Sequence, residues 1–101
     1  MGLVNQLFPD IVKEAQDVQI SIGLNESRQK DTKIKIDILR RTYSQNVSDV
    51  DFEYFQKEEV KLVEEFRKLG AANAKLQQNF RTLTNRVRIL QQATKDYEER
   101  K

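Results

Sequence analysis

The groups in this sequence that could do chemistry are carboxylates, amines, guanidiniums, amides and hydroxyls. There is no histidine and no cysteine in its 101 residues. Without imidazole the commonest general base and the commonest metal ligand are both missing. Without thiols there is no disulfide framework and no thiolate metal site. The carboxylates come as neighbours, in Glu58-Glu59, Glu64-Glu65 and Glu98-Glu99. A shared-proton pair needs both acids aimed at one point, and adjacent residues on a helix do not face each other. Carboxylate metal sites in helix bundles use a Glu-x-x-His element, which this chain cannot supply. Serines and threonines are scattered with no tuned base beside them. No Gly-rich phosphate loop or nucleophile elbow occurs. The expectation is a protein that is not an enzyme, with no catalytic residue, no cofactor and no metal.

Binding chemistry has more to work with. From Asp49 to Glu65 there are seven acids (Asp49, Asp51, Glu53, Glu58, Glu59, Glu64, Glu65) against Lys57 and Lys61. From Phe66 to Lys95 there are seven bases (Arg67, Lys68, Lys75, Arg81, Arg86, Arg88, Lys95) and no acid. Arg67, Lys75, Arg81, Arg88 and Lys95 are the candidates for a polyanion contact, since a row of cations can follow phosphates. The row has no exposed aromatics interleaved for base stacking, and the whole chain carries only +2. The preferred reading is a solvated face that meets an acidic segment, for instance residues 49–65 of another copy. Nucleic acid is the less favoured partner.

The element that positions these groups is a heptad helix. With Leu62 at position d, the d residues are Phe55, Leu62, Leu69, Leu76, Leu83, Leu90 and Tyr97. The a residues are Phe52, Glu59, Phe66, Asn73, Phe80, Val87 and Thr94. Every d residue and four a residues are apolar, and the stripe keeps a strict 3.5 period, as in a coiled coil. Arg67, Arg81, Arg88 and Lys95 then fall at b, beside Lys68 and Lys75 at c. Ser48-Asp49-Val50-Asp51 has the form of a capping box with an acidic first turn, so this helix is placed at 49–99 and residues 44–48 form the loop before it. Asn73 at a either fixes register and strand number or is merely tolerated. Phe at a positions, and small or neutral residues such as Gly70, Ala72, Gln77 and Ala93 at e and g, favour three or four helices over two. The candidate interface seam is Phe66, Leu69, Asn73, Leu76, Phe80, Leu83, Val87, Leu90 and Tyr97.

Residues 10–43 admit two readings. As a helix, Ile11, Ala15, Val18, Ile22, Asn25, Gln29, Thr32, Ile36, Leu39 and Tyr43 recur at three-four spacing, and Pro9 and Asp10 suit a first turn. As strands, Val18, Ile20, Ile22 and Leu24 alternate, and so do Ile34, Ile36 and Ile38, around a polar stretch. That stretch is long for a hairpin loop and has neither Gly nor Pro, so the helix is preferred. Residues 1–9 are a lead-in.

The fold class expected is all-α, a helical hairpin with a long C-terminal coiled-coil helix assembled into a multi-helix bundle. The alternative is α+β, with an N-terminal β-hairpin. A content of 38% hydrophobic and 34% charged residues makes a compact single core thin. No apolar run is long enough for a membrane span and no signal peptide is evident, so a cytoplasmic location is expected. The run from Leu76-Gln77-Gln78-Asn79-Phe80 to Tyr97-Glu98-Glu99-Arg100 loosely resembles the last helix of syntaxin-type regulatory three-helix domains; it contains no diagnostic motif and no residue role follows from it.

The function expected is a coiled-coil interaction or assembly module whose partner is itself or another helical protein. A nucleic-acid-associated helical dimer and a helical regulatory domain in membrane trafficking are the alternatives. Length supports oligomerisation. A helix of 10–43 spans about 50 Å and one of 49–99 about 75 Å, which would leave roughly 16 residues of seam, around Leu83, Val87, Leu90 and Tyr97, uncovered.

Overall fold

The computed structural model describes residues 2–100. Among them the regular structure is entirely helical: α1 (Gly2–Leu7), α2 (Pro9–Thr42) and α3 (Asp49–Glu99). The β-hairpin alternative for residues 18–38 is excluded, because that stretch lies inside one unbroken helix. Two aliphatic stripes on α2 explain the strand-like alternation. Val18, Ile22, Ile36 and Leu39 belong to the inward three-four row, all buried or half-buried. Ile20, Leu24, Ile34 and Ile38 are exposed on the outer side. Interleaved, the two rows put an aliphatic residue at every second position, which imitates the period of a strand.

The chain packs as two units, Gly23–Asn73 and the residues before and after it. In Gly23–Asn73 the chain reverses between α2 and α3. The last turn of α2 tightens, with Tyr43, Ser44 and Gln45 N–H groups donating to the Arg40, Arg41 and Thr42 carbonyls at 3.3, 3.4 and 3.1 Å. Ser48 then caps α3: its Oγ accepts from the Asp51 N–H at 3.2 Å. Asp49 and Asp51 add negative charge at the positive end of the helix. The Tyr43 and Phe52 rings, with centroids 5.1 Å apart, close the turn. The register follows from three levels. Arg40 meets Glu59, Ile36 and Lys33 share a groove with Val63 and Phe66, and the Gln29 amide lies 3.0 Å from where a Cβ on Gly70 would stand. Each step back along α2 is matched by a step forward along α3, so the pairing is antiparallel.

In the other unit, α1, the first part of α2 and the last part of α3 pack together. The Phe8 N–H donates to the Val4 carbonyl at 2.8 Å and finishes α1. Pro9 then opens α2, where its missing N–H costs nothing. Val4, Val12, Ala15 and Leu83 form the buried core.

The expectation of an open seam at the distal end is overturned at Leu83, while Tyr97 stays 61% exposed. Leu83 is only 1% exposed. Leu3, Leu7 and Phe8 share a groove with Leu90, Thr94 and Tyr97. There are two physical reasons. The turn spans the first turns of α3, so α2 begins pairing near Glu59 and reaches further along α3 than a count from Asp49 suggests. The lead-in, residues 1–9, also contributes a helix of its own.

Candidate functional site

The seam is built by α3 and only partly covered. Of its a and d residues from Phe55 to Thr94, Asn73 and Leu83 are buried, and the others are half-buried. Phe66, Leu69, Leu76, Phe80, Val87 and Leu90 therefore keep part of their surface accessible, while Tyr97 is 61% exposed. A pair of helices covers each seam residue from one direction only. Full burial of such residues needs a third or fourth helix.

Two polar features interrupt the seam within Gly23–Asn73. The first is a set of polar or small residues, Asn25, Gln29 and Thr32 on α2 and Gly70 and Asn73 on α3, in which the Gln29 amide lies beside Gly70. Thr32 is buried and its Oγ1 donates to the Arg28 carbonyl at 2.8 Å. Asn73 is 6% exposed, and its Oδ1 is buried with no hydrogen-bond partner. The second is Glu59, an acid at an a position. Arg40 Nε donates to its Oε1 at 2.6 Å and the Tyr43 hydroxyl donates to its Oε2 at 2.5 Å. The Tyr43 hydrogen bond, and after it the Arg40 one, hold the Glu59 carboxyl below its ordinary pKa. The same hydrogen bond raises the Tyr43 hydroxyl. Glu59 breaks the apolar pattern in sequence, yet in the structure it clasps the turn.

The basic stripe divides. Arg67 is held by Glu64 at 2.6 Å, and Arg88 donates to Asn85 Oδ1 at 2.8 Å. Lys75, Arg81 and Lys95 form no salt bridge among the described residues. A compensating layout on α2 accompanies the stripe. Asp10, Glu14 and Asp17 lie in the same unit as Lys75, Arg81, Arg86, Arg88 and Lys95. Arg28, Lys30, Lys33, Lys35, Arg40 and Arg41 lie in the same unit as the acids of 49–65. Gly23–Asn73 holds ten acids and ten bases. The field of that unit at a distance is therefore weak; of the stripe it contains Arg67, while Lys75, Arg81, Arg88 and Lys95 belong to the other unit.

The carboxylate doublets assemble nothing. Among the described residues no group of three acids could hold a metal, and no helix is long and apolar enough to cross a membrane. Grooves flank the paired helices instead. One is lined by Ile38, Leu39, Tyr54, Phe55 and Leu62, with Lys35 and Glu58 at its edges. The exposed row of Leu24, Ile34 and Ile38 adds apolar surface outside the seam. Those residues could have been found by extending the three-four spacing to a second phase.

Fold and seam together define an antiparallel helical hairpin of the coiled-coil type. No protein-family model, no curated protein and no solved structure matches the chain.

Proposed function

We propose that this chain is a non-enzymatic coiled-coil assembly module, which completes its core by packing against helices of a second copy or of another helical protein. The observation that supports this is the half-covered seam: Phe66, Leu69, Leu76, Phe80, Val87 and Leu90 are each only half-buried. Six large apolar side chains in one row exceed the scatter of single surface hydrophobes and mark an interface. Leu83 belongs to the chain's own core and supports the row from beneath.

Thermal melting at two concentrations tests the reading. An assembly that completes the core raises Tm with protein concentration by mass action, between about 10 and about 500 micromolar. If the partner is another protein, the lone chain melts early at every concentration. A high Tm independent of concentration, with the seam amides fully protected from hydrogen exchange, would show a self-sufficient fold and sink the reading.

A further inference from the structure

We propose that the face of Gly23–Asn73 that carries the groove beside Ile38, Phe55 and Leu62 is a homodimer interface, on which a second copy packs with its turn at the same end to give a four-helix bundle. The inference rests on the assembly-module reading and names its partner as a second copy of this chain.

The case begins with what this face leaves open. Leu39, Phe55 and Leu62 line the groove half-buried, and Ile38 and Tyr54 beside them are 57% and 59% exposed. On the other face of the pair Arg40 already bridges to Glu59. Seven-residue spacing shows which charges rim the groove. On α2, Lys35 continues to Arg28 and Ile38 to Asp31. On α3, Glu58 continues to Asp51 and Glu65, and Tyr54 to Lys61 and Lys68. Glu58 holds Lys61 at 3.3 Å, and the other rim charges form no salt bridge among the described residues.

A two-fold axis running lengthwise over the groove keeps every level and lays α2 of each copy on α3 of the other. Within the hairpin, residues whose numbers add to about 99 share a level, as Arg40 does with Glu59 and Gln29 with Gly70. The same rule sets the facing residues of the two copies. Lys35 faces Glu65 and Asp31 faces Lys68, each twice. Lys61 faces Ile38, Glu58 faces Thr42, Arg28 faces Ala72, and Asp51 lies past the end of α2. The nearest like charges are Lys35 to Lys61, Arg28 to Lys68 and Asp31 to Glu65, offset along the axis by about 4.5 Å. In each of these at least one member has an opposite charge at its own level.

Net charge decides the orientation. Within Gly23–Asn73, α2 has six bases and three acids, a net +3, and α3 has four bases and seven acids, a net −3. With both turns at one end, each helix has two neighbours of opposite charge, and like helices stand on the diagonals. With the turns at opposite ends, α2 lies on α2 and α3 on α3, and like charges oppose association.

Charge exchange tests the interface in the full chain. Lys35→Glu and Glu65→Lys, both at exposed positions, should each raise the dimer dissociation constant about tenfold in sedimentation equilibrium, because two attractive pairs become repulsive. Mixing the two variants should restore the wild-type affinity as a heterodimer, since both facing pairs are then opposite in sign. Within each variant chain, positions 35 and 65 carry the same charge, so recovery on mixing reports contact between chains alone. Orientation has its own readout. The chain has no native cysteine, so Asn46→Cys in the turn takes a nitroxide label at one site. The distance between labels should be about 20 Å with the turns together, one interaxial spacing plus the label arms. With the turns at opposite ends it would be about 45 Å, because the turn lies about 15 residues from Leu62.

Variants that fail to recover on mixing place the contact elsewhere and overturn the proposal, as does the longer distance. So does a wild type that stays monomeric at about 500 micromolar. A monomer with a low melting temperature leaves the assembly-module reading standing with a different helical partner, whereas a monomer with a high one ends both.

Discussion

Asn73 offers the sharpest perturbation. It occupies an a position in the seam, is 6% exposed, and buries a carbonyl oxygen that accepts no hydrogen bond. A buried acceptor left unpaired costs about 1–3 kcal/mol. Replacing Asn73 with Leu removes that cost and adds apolar burial worth about 1.5–3 kcal/mol. The added bulk opposes this by about 1–3 kcal/mol, because Asn73 is already closely enclosed. At mid-range the balance is a gain of about 2 kcal/mol. For a chain of this size that is a rise in Tm of about 10 °C. Circular dichroism melts of wild type, Asn73→Leu and Asn73→Ala at one concentration measure it, with Asn73→Ala as the control that removes the oxygen without adding bulk. The gain should bring looser specificity, seen as a broader distribution of assembled masses, because a polar a residue restricts the registers a seam can adopt. If both variants lose more than about 1 kcal/mol, Asn73 Oδ1 has a partner in solution, and the reasoning from an unpaired acceptor is refuted.

Other predictions follow from the core, the turn and the polar layer. Leu83→Ala should cost about 3–5 kcal/mol, because Leu83 is the largest fully buried side chain, while Tyr97→Ala at an exposed position should cost under about 1 kcal/mol in the same denaturant titrations. Glu59 has a lowered carboxyl pKa in the folded chain, so its contribution is present above the unfolded value and is lost as pH falls through the folded one. Denaturant midpoints should therefore decline in acid, starting near the ordinary glutamate value, 4.5. Tyr43→Phe, which removes the largest cause of the shift, should flatten that decline; an unchanged acid limb would count against the clasp. Gly70→Ala gains up to about 1 kcal/mol of helix propensity and displaces only the Gln29 amide, 3.0 Å from the new Cβ. The net change should be a gain of under about 1 kcal/mol, read from the urea midpoint.

Much of the fold was legible because apolar spacing is a direct consequence of helix geometry. The d row from Phe55 to Leu90 and the α2 row from Ile11 to Tyr43 are the rows that turn inward. Ser48 announced its cap. Other features depend on contacts between distant residues. α1 is too short to be stable by propensity, and Val4 is buried only because the end of α3 lies beneath it. The level at which α2 meets α3 is set by Tyr43 lying over Phe52, a fact about the turn and not about either helix. Glu59 counted against the seam until Arg40 and Tyr43 were seen to reach it. The complementary charges of α2 were readable from the start. Four acids lie between Asp10 and Glu26 and six bases between Arg28 and Arg41, the same acid-then-base order as on α3, which an antiparallel pairing turns into opposite charges. Reading them requires placing the two helices antiparallel first.

That charge layout bears on how a repetitive seam settles on one register. A heptad row is nearly indifferent to a slip of seven residues, because leucine replaces leucine at each layer. Here a slip is costly at three separate places. It moves Arg40 from Glu59 to Phe66 or Phe52, leaving an a-position carboxylate without the two donors that satisfy it. It takes the Gln29 amide away from Gly70, the one seam-flanking position without a side chain to obstruct it. It also shifts the basic half of α2 off the acidic stretch of α3. None of these devices adds much stability alone, since exposed ion pairs contribute about 1 kcal/mol or less. Their value lies in the difference between registers, since a slipped pair leaves the half-buried Glu59 carboxylate without either of its donors. The polar residues of the seam thus lower the stability of the pair slightly and raise the cost of every competing register more. In the assembly proposed above, a surface that presents the same half-covered row each time depends on that difference.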